Sequence, residues 1–69
     1  MENNVIGVYP ISNCCELLVY EIGEGEVLAG PLGQSPTWCK FGWGDEDGEL
    51  VPGFYWGKLF IPFSKVERL

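Results

Sequence analysis

The residues able to do chemistry are few, and the missing types decide as much as those present. The chain has no histidine, so the usual general base is absent. Its cysteines stand at Cys14, Cys15 and Cys39. Each falls in an apolar, strand-like run, a setting that raises a thiol pKa and makes a poor nucleophile. The adjacent pair Cys14 and Cys15 has the wrong geometry to bridge itself. No C-x₂-C pair offers a zinc site, so the thiols are expected to serve as small apolar residues. Carboxylates cluster only at Asp45, Glu46, Asp47 and Glu49. That run lacks the distal glutamate of a calcium loop and reads as a solvated turn without the burial that acid–base work needs. The expectation is no catalysis, no metal and no cofactor.

Recognition chemistry is better supplied. Trp38, Tyr55 and Trp56 are candidate anchors for a protein partner, because Trp and Tyr carry much of the energy at interface centres. Asp45, Glu46, Asp47 and Glu49 could then steer a partner with a basic surface. A second set suits a nucleotide or similar planar anion held between subunits. It comprises Trp38 and Trp56 for stacking, with Lys40, Lys58 and Arg68 for charge. In the bland alternative the rings are core and the lysines simply lie over them with their heads in water.

These residues must be positioned by a very small scaffold. Sixty-nine residues make one domain, 1–69, and such a chain buries only about 60% of its unfolded surface on folding. Against this it carries four Phe, three Trp and three Tyr, each able to bury on the order of 150–250 Å². One small monomer has difficulty hiding all of them, which argues for a binding face, a homo-oligomer or both. Ten Asp/Glu against four Lys/Arg leave a formal charge of −6. That opposes general binding to a nucleic-acid backbone, which needs clustered cations. The start, Met1-Glu2-Asn3-Asn4, shows no basic or apolar leader pattern. No run approaches the roughly 20 apolar residues of a membrane span. A cytoplasmic location with reduced thiols is expected.

Ten glycines and five prolines break the chain into short runs rich in Val, Ile, Tyr, Phe and Trp, which read as strands. They lie at 5–11, 14–22, 26–29, 37–43, 50–56 and 58–63. Gly23-Glu24-Gly25 and Asp47-Gly48 read as hairpin turns, residues 30–36 as a loop, and Gly57 as a turn or a sharp bend. On the fourth run Thr37, Cys39, Phe41 and Trp43 share a face and look like core, leaving Trp38 on the other. Ser64 with Glu67 three residues on suggests a capping box and a short helical turn. The sum is an all-β fold: a five- or six-stranded antiparallel barrel or bent sheet, of the SH3-like roll type, closed by a C-terminal helical turn. The first two runs are apolar on both faces, where an antiparallel sheet should keep one face wet. That marks them as the expected subunit interface.

The expected function is a non-enzymatic binding protein, an inhibitor or adaptor that engages a protein partner through an aromatic and acidic surface. Small proteins of this kind are often encoded by phages and mobile elements. The competing expectation is a homo-oligomer that sequesters a nucleotide.

Overall fold

The computed structural model describes residues 5–13 and 15–69; Cys14 lies outside them. Seven antiparallel strands form one curled, half-barrel sheet. They are β1 (Gly7–Ser12), β2 (Cys15–Ile22), β3 (Glu26–Pro31), β4 (Thr37–Glu46), β5 (Glu49–Trp56), β6 (Leu59–Pro62) and β7 (Glu67–Arg68). A single 3₁₀ turn, Phe63–Lys65, separates the last two. The sheet order is β6-β5-β4-β3-β2-β1-β7, so the first six strands form a meander. The 3₁₀ turn then carries the chain across to the far edge, where β7 pairs with β1. The strand above the expected five or six is this two-residue β7, too short for any periodic signal. Among the described residues no helix is long and apolar enough to cross a membrane.

Turn chemistry sets the register. Asp47 and Gly48 both have positive φ, 53° and 86°, and join Glu46 to Glu49 as a two-residue hairpin of the kind that matches strand twist. Gly57, at φ 63°, turns β5 into β6 between Trp56 and Leu59. Pro52 sits mid-strand, yet its missing N–H falls where β6 has already ended, since that ladder starts only at Gly53.

The concave face holds the core: Leu17, Val19, Val27, Ala29, Cys39, Phe54 and Ile61 are buried. Pairing puts Phe41, Phe54 and Ile61 in one row across three strands. Phe63, from the 3₁₀ turn, lies under that row with its ring edge-on to Phe41 at 5.4 Å. Irregularities in β1·β2 near Ile11 and in β2·β3 near Tyr20 bend the sheet and reset side-chain parity. After the second, Val19 and Ile22 both face the β3 residues that line the core. This accounts for part of the two-sided apolar pattern of β2. Leu18 is covered as well, in line with Val8 and with Gly30, over which Pro36 of the 32–36 loop crosses.

Two expectations need correction. Phe41 and Trp43 share a face with Cys39 but are 41% and 61% exposed. Phe41 sits at the margin of the core against Phe54 and Phe63, and Trp43 lies beyond it in the β4–β5 arm, opposite Pro52. Thr37 is exposed too. The capping box also does not form. The turn starts after Pro62 with no side-chain cap, the Ser64 hydroxyl lies 3.4 Å from Glu46 Oε1, and Glu67 pairs with Val8 in β7.

On the convex side of the arm, glycines replace side chains so that rings can lie on the backbone. Tyr55 covers Gly42, and Phe60 covers Gly44 and Gly53. The two rings lie 5.2 Å apart. Any Cβ on Gly53 would run into the Ile61 carbonyl, which cannot yield without breaking the β5·β6 ladder. Gly53→Ala should therefore lower unfolding stability by about 1–3 kcal/mol in urea titration. Leu32→Ala, at an exposed loop position, should stay within about 0.5 kcal/mol.

Candidate functional site

β4 belongs to two ladders in succession. Its first four residues pair with β3, Thr37 to Ala29 through Lys40 to Glu26. From Phe41 to Glu46 it pairs with β5 instead. The end of β5 and the Gly57–Lys58 turn stay with β6 and part from β4 beyond the Phe41–Phe54 pair. The space opened is a groove of about 620 Å³, walled by residues 37–40 on one side and 55–59 on the other.

Five of the candidate residues meet there. Trp38 and Tyr55 are exposed (48% and 40%), whereas Trp56 is half-buried and packs against the core. Tyr55 is held in place: its hydroxyl donates to the Trp43 carbonyl at 3.1 Å, and its ring is pinned between Gly42 and Phe60. Lys40 and Lys58, both exposed, add positive charge. Glu26 is the cross-strand partner of Lys40, but no Asp or Glu lines the groove. Among the described residues the ion pair at 4 Å or less is elsewhere, between Lys65 and Glu46.

The remaining candidates lie apart. Asp45, Glu46, Asp47 and Glu49 form the end of the arm. Six steps of extended strand lead from Lys40 to Glu46, roughly 20 Å. Glu46 is the least exposed of the four; its carboxylate is 3.5 Å from the Lys65 ammonium, tying the 3₁₀ turn to the arm. The acidic end and the aromatic groove are thus two surfaces. Arg68 sits in β7 against Ile6, Ile22, Phe63 and Val66 at a small apolar hollow of about 40 Å³, away from the groove. Sequence reasoning also missed the exposed apolar stripe of the arm, Trp43 with Leu50 (69% exposed). It follows strict alternation, and that pattern does not show where the core stops.

Among the described residues no three of Cys, Asp and Glu come together as a metal site. Cys15 is exposed, unlike the apolar setting expected for it. Cys39 is buried, and burial pushes its thiol pKa up, partly offset by the Thr37 side chain; the thiol also donates weakly to the Thr37 carbonyl at 3.6 Å. No family model, curated protein or solved structure matches the chain.

Burial and a raised pKa both oppose thiolate chemistry at Cys39. With Cys14 and Cys15 changed to Ser, Cys39 should react with a thiol reagent at pH 8 at least about tenfold more slowly than in urea-unfolded protein. Equal rates would show that this wall of the groove opens freely.

Proposed function

We propose that the protein is a non-enzymatic binding module, an inhibitor or adaptor, that engages a protein partner through the groove between β4 and the β5–β6 turn. The observation that supports this best is the meeting of Trp38 with Tyr55 and Trp56, from the opposite wall, along one open groove. Sites for small molecules usually enclose most of the ligand's surface. This one is open along its length and better shaped for a chain segment, with aromatic anchors of the type that dominate interfaces. The acidic end of the arm is a separate surface and would steer a partner's basic region from a distance. Self-association belongs to the same proposal, and the exposed Phe41, Trp43 and Leu50 support the arm as its interface better than β1 and β2 do.

A second reading keeps the groove and changes the ligand. Lys40 and Lys58 stand in the same groove as Trp38 and Trp56, the pairing of cation and ring that holds a planar anion such as a nucleotide. A second copy would have to roof the site.

A random peptide library selected on the protein discriminates the two. Selected peptides should bind at least about tenfold more weakly to Trp38→Ala and Trp56→Ala and equally well to Leu32→Ala. Failure to select any groove-dependent peptide, with a nucleotide-induced rise in melting temperature that Lys40→Ala removes, would replace the first reading with the second.

A further inference from the structure

We propose that the groove receives an extended acidic segment of the partner, which adds as a strand to the inner edge of β4 at Trp38 and Lys40. This rests on the groove being the docking site, and it adds both the shape and the charge of the occupant.

The backbone gives the shape. The β3·β4 ladder continues to Thr37, but the β4·β5 ladder stops at Phe41 and Phe54. The Phe41 N–H donates to the Gly25 carbonyl at 3.0 Å, which fixes the parity of β4. Backbone groups of Thr37, Cys39 and Phe41 point toward β3, so those of Trp38 and Lys40 point the other way. Toward the groove, Trp38 therefore offers an N–H and a C=O, and Lys40 an N–H, on a stretch where the β5 ladder has ended. Such a row of donors and acceptors is completed by an incoming peptide strand, as in β-strand addition.

The charge follows from the walls. The chain carries ten acidic and four basic side chains, yet two of the four basic ones, Lys40 and Lys58, stand on opposite walls of this groove. No acidic side chain lines it. Glu26, across the β3·β4 ladder from Lys40, offsets part of this charge, but the groove's own walls carry only the charges of Lys40 and Lys58, a sign opposite to that of the whole protein. Selection falls on acidic segments and against basic ones. Alternation then sets the pattern. Trp38 and Lys40 lie on one face of β4, and Thr37 and Cys39 on the other, the core side, where Trp56 packs. An added strand would place acidic residues on the Lys40 face and apolar residues on the Trp56 face, in turn.

The test uses the whole protein, labelled with ¹⁵N, and a capped heptapeptide of alternating Glu and Val. Controls are its Lys/Val twin, a set of Glu/Val peptides N-methylated at single positions, and ATP. The Glu/Val peptide should shift the amides of Trp38 and Lys40 and of residues 55–58. It should bind at least about tenfold more tightly than the twin, and the preference should vanish in Lys40→Glu/Lys58→Glu. N-methylation should weaken binding at every second position and be tolerated between them, since only alternate amides face β4. Equal binding of the twin, uniform tolerance of N-methylation, or shifts produced by ATP and not by the peptide would each overturn the inference. If library-selected peptides still depend on Trp38 and Trp56 but show no alternation, the strand and its charge fall while the groove's function stands. If no peptide engages the groove and ATP stabilises the protein, both fall.

Discussion

The structure depends on one strand serving two ladders. β4 is the longest element, ten residues, and it changes pairing partner between Lys40 and Phe41. A flat sheet this small would leave its apolar face in water, so the sheet must curl; the change of partner is where the curl opens. It aligns Phe41, Phe54 and Ile61 over Phe63, and the same divergence leaves the groove beside them. Core and candidate site are two sides of one geometric event.

The arm beyond the core follows a different economy of space. There the backbone is shielded by rings lying on glycines instead of by side chains meeting across a core. This gives rigidity without volume: Tyr55 is clamped by Phe60, by Gly42 and by its bond to the Trp43 carbonyl. A clamped aromatic loses little rotamer entropy on binding, which favours it as part of a recognition wall. The ion pair between Lys65 and Glu46 is partly exposed and contributes at most about 1 kcal/mol; its role is to hold the 3₁₀ turn against the arm.

Much of this was legible in residue types. Short β-rich runs between Gly and Pro marked the strands, Asp47-Gly48 marked its hairpin, and alternation put Trp38 on the face opposite Cys39 without deciding its exposure. What stayed hidden was non-local. Alternation places Phe41 and Trp43 on the core side but cannot say that Phe41 stands at the core's margin and Trp43 beyond it. β2 looked two-sided partly because a bulge near Tyr20 shifts its parity and partly because both faces are covered at Leu17, Leu18 and Val19, and neither the bulge nor the cover has a local signature there. The meeting of residues 37–40 with 55–59 depends on where two ladders part, a property of the whole sheet. The separation of the acidic turn from the rings was hidden for the same reason, since closeness in sequence to Trp43 and Tyr55 says nothing about the length of the arm.

The sheet's outer margins carry one more consequence, for its behaviour at high concentration. β6 is four residues long and ends in Pro62, and β7 is two residues long and carries Glu67 and Arg68. Short, proline-ended or charged margins resist stacking of one molecule on the next, the growth step of fibres. The stretch of β4 at Trp38 and Lys40 that lacks a β5 partner is itself one wall of the groove, faced by residues 55–59, which stand in the way of another folded sheet. The fold thus keeps a sticky backbone edge without the polymerisation that such an edge would invite on its rim.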